Sequence, residues 1–262
     1  MGGMYSPDEI VDVVRKTALK KAKYGSKKTL ILSFLAGAYI AFGSLLAIIV
    51  AGGTPGLSES YIGIQKLLLG ATFPVGLIMV VIAGAELFTG NTAYFMPNII
   101  DGKQPVSDMF RNWMWVYIGN FIGSLFVAYF ITYLTDVVAH KPWLDMVNSI
   151  AIGKTSNPFY KTFLKGIGAN WLVCLAMWLG MASKSASGKI LGIWWPVMAF
   201  VTIGFEHSIA NMYFIPLAIF HGADISWSDF IFHNLIPATL GNIVGGLFFV
   251  GTLYGYLFRN KS

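Results

Sequence analysis

The sequence is poor in charge, which excludes the usual classes of soluble protein. Of its 262 residues, 18 are Lys or Arg and 12 are Asp or Glu, whereas 56% are hydrophobic. The mean hydropathy is +0.65. Because ordinary soluble domains carry about a quarter charged residues, we predict an integral membrane protein.

Cysteine is almost absent, and the N-terminus lacks an apolar targeting core. Cys174 is the only cysteine, so an intrachain disulfide is excluded, and its place in an apolar segment predicts a packing role. The first 28 residues are polar and charged, unlike a signal peptide. Their lysines produce most of the net charge of +6, which positive-inside topology explains without a nucleic-acid partner.

Six apolar segments are long enough to span a bilayer, since a helix needs about 20 residues to do so. They cover about 29–51, 63–96, 112–135, 160–182, 188–219 and 229–257. The second and fifth are too long for one span, and each contains a polar stretch. We therefore predict an all-α integral membrane fold in which helices 2 and 5 are broken inside the membrane.

The two polar stretches repeat each other. The first reads Gly-Ala-Glu-Leu-Phe-Thr-Gly-Asn over 84–91, and the second reads Gly-Phe-Glu-His-Ser-Ile-Ala-Asn over 204–211. With three spans in each half, about 29–135 and 160–257, the second half must enter the membrane from the opposite side. Such inverted repeats are typical of transporters and channels, and their matching interruptions indicate a substrate path.

A second repeated motif, Gly-Asn-x-x-Gly, occurs in spans three and six at 119–123 and 241–245. Glycines four residues apart allow close approach of helices, so these motifs predict packing. Asn120 and Asn242 are expected to hydrogen-bond across helices.

Basic residues gather on one side of this topology. Seven precede the first span, and others flank the connections near 103–111, 184–189 and 259–261. The opposite face carries only Lys66, Lys141, Lys154 and Lys161. The positive-inside rule places both termini, including the tail 259–262, in the cytoplasm beneath the cell membrane.

Residues 1–28 are expected to form a cytoplasmic amphipathic helix ahead of the membrane domain, 29–258. Ser6, Pro7 and Glu9 predict a helix start with a capping box. Apolar residues form one stripe of this helix: Ile10, Val13, Val14 and Ala18. The helix either anchors at anionic lipid or gates the pore.

Few ionisable residues lie within the spans, and a charge there costs several kcal/mol, so each is a functional candidate. Those more than four residues from either end of a span are Glu86, Lys165, Glu206 and His207. Glu86 and Glu206 are expected to accept hydrogen bonds from loop N–H groups and hold the breaks open. Asn91 and Asn211 are expected to brace the same loops by capping the half-helices that follow.

His207 has no counterpart in the first half, where Leu87 takes the matching position. We expect it to line the permeation path, because imidazole offers a proton or a hydrogen bond near neutral pH. Thr89, in the other break, could meet it across the pseudo-two-fold axis. Lys165 either extends to the membrane interface or adds positive potential to a vestibule.

The pattern argues against an intramembrane enzyme, and no cofactor or metal site is expected. Glu206 and His207 are adjacent, whereas a helical zinc site needs ligands about one turn apart, and no nucleophile accompanies them. An ammonium or water channel fits less well, because a single pore histidine and a positive vestibule suit an anion. A proton-coupled symporter would share the inverted repeat.

Three motifs resemble the signatures of the formate/nitrite transporter family. They are Val-Ile-Ala-Gly-Ala-Glu-Leu-Phe-Thr-Gly at 81–90, Gly-Ile-Gly-Ala-Asn-Trp-Leu-Val-Cys-Leu-Ala at 166–176 and Gly-Phe-Glu-His-Ser-Ile-Ala-Asn-Met at 204–212. The resemblance covers all six spans. It implies an aquaporin-like protomer without paired Asn-Pro-Ala motifs, assembled as a homopentamer with a pore through each subunit.

The resemblance also implies substrates and a site. Family substrates are small monovalent anions of weak acids, such as formate, nitrite and hydrosulfide. By motif position, Thr89, Asn170 and His207 would form the polar centre, with Lys154 in the vestibule. The constrictions would be formed by Phe73, Leu77, Leu87, Phe88, Val173 and Phe200.

The physics of such a pore suggests a mechanism. An apolar constriction resists a bare ion but admits a neutral acid. We expect Lys154 and half-helix N-termini to attract the anion, which crosses after protonation in the vestibule or near His207. Either His207 donates the proton, or water supplies it and His207 only hydrogen-bonds. The alternatives are a proton-coupled symporter of the same anions and a hydrosulfide channel.

Overall fold

The computed structural model describes residues 3–259, and this part of the chain is helical, with no β-strand. Six helical stretches within it are long and apolar enough to cross a membrane. They are Ser26–Gly52, Ile62–Ala83, Val106–Tyr133, Phe159–Ala182, Ala186–Ile203 and Asp229–Leu257. The predicted all-α membrane architecture is confirmed.

The helices of the first half run from α1 to α8, and those of the second half from α9 to α14. The first set is α1 (Pro7–Ala22), α2 (Ser26–Gly52), α3 (Gly56–Ser60), α4 (Ile62–Thr72), α5 (Val75–Ala83), α6 (Phe88–Tyr94), α7 (Met96–Ile100) and α8 (Val106–Phe126). The second set is α9 (Trp143–Thr155), α10 (Phe159–Ala182), α11 (Ala186–Ile203), α12 (Ser208–Phe220), α13 (Ile236–Gly246) and α14 (Leu253–Leu257).

The two predicted breaks have the same construction. Helix α5 ends at Gly84 with φ +81°, and α11 ends at Gly204 with φ +85°. This left-handed conformation favours glycine because it lacks a Cβ atom. Four residues later the chain re-enters a helix, at Phe88 in α6 and at Ser208 in α12.

The second span has an interruption that the apolar pattern did not predict. The chain leaves α4 at Phe73-Pro74 before α5 begins, because proline has no N–H to continue the helix. Spans three and six also contain π-helical turns. These cover Val127–Tyr133, Asp229–Leu235 and Leu247–Thr252.

Equivalent spans pair in the two halves: α2 packs on α8, and α10 packs on α13. A Cβ atom at Gly123 would overlap the carbonyl of Phe34, and one at Gly241 would overlap the carbonyl of Phe163. The predicted packing role of the Gly-x-x-x-Gly motifs is therefore confirmed.

Helix α1 packs against the membrane domain along one face. Val11, Val14 and Ala18 are fully buried, so Val11 replaces Val13 in the predicted stripe. The Ser6 backbone N–H donates to the Glu9 carboxylate at 2.8 Å, which confirms the capping box. Of the predicted tail, Arg259 is described, whereas Lys261 and the other residues after Arg259 lie outside the described range.

Candidate functional site

The two breaks meet at a buried contact between Thr89 and His207. Thr89 Oγ1 lies 2.9 Å from His207 Nε2, and the residues are 0% and 3% exposed. The backbone N–H of Ala210 donates to His207 Nδ1 at 3.1 Å. In a neutral imidazole the proton is therefore on Nε2, which donates to Thr89 and leaves the threonine hydroxyl hydrogen available to a third group.

Asn170 hydrogen-bonds to the backbone of Thr89, next to this contact. Its Nδ2 lies 3.2 Å from the Thr89 carbonyl oxygen and 2.9 Å from Thr92 Oγ1. Thr92 Oγ1 and Cys174 Sγ also donate to the Thr89 carbonyl, at 2.6 and 3.4 Å. Asn170 thus holds the backbone of Thr89, and Cys174, predicted to be packing only, shares in this bonding.

A cavity of about 290 Å³ opens beside His207 on the side of α9, and we call it the α9 vestibule. Among its lining residues are the aromatic pair Phe73 and Phe200, whose ring centroids are 5.9 Å apart. Phe200 also stacks on the His207 ring at 5.7 Å. The charged lining residues are Lys66, Lys154, Lys165 and Glu206, so the vestibule carries a positive excess.

A second cavity, of about 220 Å³, opens beside α1, and we call it the α1 vestibule. Its charged lining residues are Lys20, Lys21 and Glu86. Leu77, Leu87 and Val173 line neither vestibule within the described residues and are almost fully buried. Leu77 follows Phe73 of the α9 vestibule by one turn and precedes Val80 of the α1 vestibule by one turn, so along the chain this buried side chain lies between lining residues of the two cavities.

Within the described part of the chain, Phe88 lines neither vestibule and packs elsewhere. Its ring packs edge-on against Trp113 and Tyr117, with centroids 5.8 and 4.9 Å away. These rings line an open apolar groove between α8 and α13. The structure thus places Phe88 on a different side of α6 from Thr89, apart from the other residues expected at the constrictions.

Glu86 and Glu206 each form a buried ion pair with a lysine from outside the six spans. Lys21 Nζ donates to Glu86 Oε1 at 2.5 Å, and Lys154 Nζ donates to Glu206 Oε2 at 3.0 Å. The side-chain amides of Asn91 and Asn211 donate to the same carboxylates. Lys21 was missed from the sequence because it lies within a run of lysines.

The loop N–H groups are satisfied by different residues from those expected. Asn120 Oδ1 accepts the N–H of Phe88 at 2.9 Å, and Asn242 Oδ1 accepts that of Ser208 at 2.8 Å. The glutamate carboxylates instead face lysine and asparagine side chains. The expected hydrogen bonds from loop N–H groups to these carboxylates are therefore wrong.

The capping role expected for Asn91 and Asn211 is also wrong. The N-cap positions are Leu87 and His207. Each asparagine lies one turn inside its half-helix, where its amide reaches back to the glutamate carboxylate.

Two further asparagines complete the braces and were missed from the sequence. Asn91 donates to Asn112 Oδ1 at 2.8 Å, and Asn211 donates to Asn234 Oδ1 at 2.7 Å. The separations in sequence are 21 and 23 residues, a near repeat that could have identified them.

Comparison with known proteins agrees with this architecture. The sequence profile of the family described as formate/nitrite transporter matches residues 8–256. The chain belongs to the formate/nitrite transporter family. It is 46% identical to a probable formate transporter from Methanothermobacter thermautotrophicus, over 100% of both chains.

Two solved structures of the family match the whole architecture. An FNT family ion channel gives a TM-score of 0.87 at 31% identity and covers 95% of this chain and 98% of its own. A pentameric formate channel with formate bound gives a TM-score of 0.78 at 34% identity and covers 89% of this chain and 97% of its own. This member of the family is therefore a multi-pass membrane channel or transporter for anions rather than an enzyme.

Proposed function

We propose that this protein moves small monovalent weak-acid anions, formate first and nitrite second, across the cell membrane. It acts as a homopentamer with one pore in each subunit and with both termini in the cytoplasm. The names of the relative from Methanothermobacter thermautotrophicus and of the formate-bound pentamer support formate and the pentamer. The excess of lysine and arginine on the face of α1 supports the orientation.

The Thr89–His207 contact between two vestibules is the observation that carries this proposal. The α9 vestibule collects the anion, because Lys66, Lys154 and Lys165 outnumber the one carboxylate of Glu206. Lys154 is itself paired with Glu206, so the attraction belongs to the group of charges rather than to Lys154 alone. The N-terminus of α12 contributes less than expected, since the N–H groups of Ser208 and Ala210 already have partners.

An apolar layer between the two vestibules decides which form of the solute crosses. Phe73 and Phe200 close the floor of the α9 vestibule, and Leu77, Leu87 and Val173 lie beyond them. A bare carboxylate entering this layer would lose its hydration without a compensating charge, whereas the neutral acid loses far less. The anion therefore takes up a proton before it passes, and releases it on the other side.

The geometry favours water in the vestibule over His207 as the source of this proton. A positively charged imidazole would need a proton on Nδ1, where the N–H of Ala210 donates. It would also place a buried positive charge close to Lys154. His207 therefore stays neutral, donates Nε2–H to Thr89 and lets the Thr89 hydroxyl donate to the solute.

Flux in reconstituted liposomes tests this function. Purified protein should release formate and nitrite, and His207→Ala should change both the rate and its dependence on pH. Lys154→Ala should reduce uptake at low anion concentration. Unchanged rates and pH profiles in both variants would overturn the proposal. A pore for the neutral acid also accumulates formate on the alkaline side of a pH gradient, so flux that saturates with formate concentration is the result that would favour proton-coupled symport.

A further inference from the structure

A third cavity lies at the junction of α1 and α2 and is not used by the proposed transport path. It has a volume of about 80 Å³ and adjoins the α1 vestibule at Lys21 and Tyr24. Its other lining residues are Ala22, Gly25, Ser26, Thr29, Arg111, Asn112 and Trp115. We call it the junction cavity. It is large enough for several water molecules or one small anionic group.

A buried hydrogen-bond donor in the lining of this cavity lacks an acceptor. Asn112 is 5% exposed, and its Nδ2 has no partner among the described residues. The equivalent amide of the second half, Asn234 Nδ2, donates to the Lys154 carbonyl at 3.1 Å and to Glu206 at 3.2 Å. An unpaired buried donor is unfavourable. Among the described residues the chain supplies acceptors for Asn234 Nδ2 but none for Asn112 Nδ2, so an acceptor bound in the cavity beside Asn112 would be stabilised.

The N-terminus of α2 lines the same cavity without a cap. Its N-cap residue is Gly25, which has no side chain to accept from the first N–H groups of this 27-residue helix. Those N–H groups carry partial positive charge and favour an anion. The free amide of Asn112 and the uncapped helix thus both need an acceptor in one small space.

Charge around the junction cavity also favours an anion. Arg111 Nη2 donates to the Ala22 carbonyl at 2.6 Å and lies 3.3 Å from Asp108, which leaves other guanidinium donors available. The Glu86 carboxylate, the nearest one to Lys21, is already paired with it. Four further lysines lie within five residues of Gly25 in the sequence, at positions 20, 23, 27 and 28.

We infer that the junction cavity binds a phosphate group, supplied by the headgroup of an anionic membrane lipid. A phosphate offers several acceptor oxygens, enough to meet the N–H groups of α2, Asn112 Nδ2 and Arg111 together. The cavity lies where the first span begins at Ser26, the depth of lipid headgroups, and Tyr24 and Trp115 beside it are typical of that interface. Binding there fixes the connection between α1 and the membrane domain.

Replacement of Gly25 tests the site without disturbing the ion pair of Lys21 or the braces. A Cβ atom at Gly25 meets nothing within 4 Å, and its φ of −69° and ψ of 155° suit any N-cap residue. In Gly25→Asp the new carboxylate should cap α2 itself and displace the phosphate. Gly25→Ala adds the same Cβ atom without the charge and serves as the matched control. Lys103→Gln is the second control, because it removes a positive charge from an exposed position outside the junction cavity.

The measurement is native mass spectrometry of the purified assembly with phosphatidylglycerol, with phosphatidylcholine and with inorganic phosphate alone. We expect phosphatidylglycerol to be retained by the natural protein, Gly25→Ala and Lys103→Gln, and to bind Gly25→Asp about tenfold more weakly. Inorganic phosphate bound with the same pattern of variants would support the phosphate site with a soluble source. Equal retention of phosphatidylglycerol by Gly25→Asp and Gly25→Ala, or no binding of either probe, would refute the inference.

Discussion

Lys21 on α1 stands in the same relation to Glu86 as Lys154 on α9 stands to Glu206. The Nζ–carboxylate distances are 2.5 and 3.0 Å, and an asparagine five residues after each glutamate completes both groups. The internal repeat therefore includes a helix outside the three spans of each half. Helix α1 is a structural part of the first half, just as α9 is part of the second.

This relation predicts that Lys21 is needed for stability. Lys21→Met should leave the Glu86 carboxylate buried without a counter-charge, and breaking such a pair typically costs about 3 to 5 kcal/mol. We expect a clear fall in the thermal unfolding temperature of the protein in detergent. Lys21→Met combined with Glu86→Gln should recover much of the loss, because the uncompensated charge is then removed.

The comparison variant for Lys21 is Lys103→Met. The Lys103 side chain is 61% exposed and lies 3.8 Å from Asp101, so its loss should change the unfolding temperature little. Equal effects of Lys21→Met and Lys103→Met would show that the Lys21–Glu86 pair is not a brace.

The Thr89–His207 contact predicts opposite results for two substitutions at Thr89. Thr89→Val keeps the shape but leaves His207 Nε2–H without an acceptor in a buried site, so formate flux should fall about tenfold. Thr89→Ser keeps the hydroxyl and should retain most of the flux. Stopped-flow measurements on liposomes containing equal amounts of protein compare the two, and a similar loss in both variants would argue against a role for the hydroxyl.

The capping box of α1 predicts a local dependence on pH. Hydrogen bonds from the backbone N–H and the hydroxyl of Ser6 lower the pKa of Glu9 below its usual value. Because the folded pKa is lowered, the contribution to stability is complete above the unfolded pKa and is lost as pH falls through the lowered value. The protection factors for hydrogen exchange in the first turn of α1, taken relative to the intrinsic exchange rate at each pH, should fall below about pH 4.

The Ser6→Ala variant provides the control for this effect. It should exchange faster at neutral pH and show a smaller further change on acidification, because the box is already incomplete. A steep acid response that is identical in both proteins would assign the effect to another carboxyl group.

Most of the fold followed from periodic and repeated features of the sequence. Apolar length gave the six spans, and the matching Gly-x-Glu stretches gave both breaks, because a half-helix must end where glycine takes a positive φ. The kink at Pro74 and the π-helical turns did not follow from apolar length. They depend on how each turn packs, which a hydropathy pattern does not contain.

The site was predictable in its residues but not in all their partners. The meeting of Thr89 and His207 followed from the symmetry of the breaks. The pairing of Lys21 with Glu86 did not. Lys21 lies 65 residues from Glu86 within a run of lysines, and only the packing of α1 on the membrane domain distinguishes it from the other lysines. Side-chain direction also escaped prediction at Phe88, which shares α6 with Thr89 but lies in the outer groove.

The different positions of Phe73 and Phe88 predict different effects of the same substitution. Phe73→Ala should open the floor of the α9 vestibule, where its ring meets Phe200, and lower the barrier to hydrated ions. Phe88→Ala removes the same side-chain volume from the groove beside Trp113 and should leave selectivity unchanged. Planar-bilayer recordings in chloride distinguish them, with new chloride current expected only for Phe73→Ala. Chloride current in Phe88→Ala alone would place the constriction at Phe88, as the family resemblance had implied.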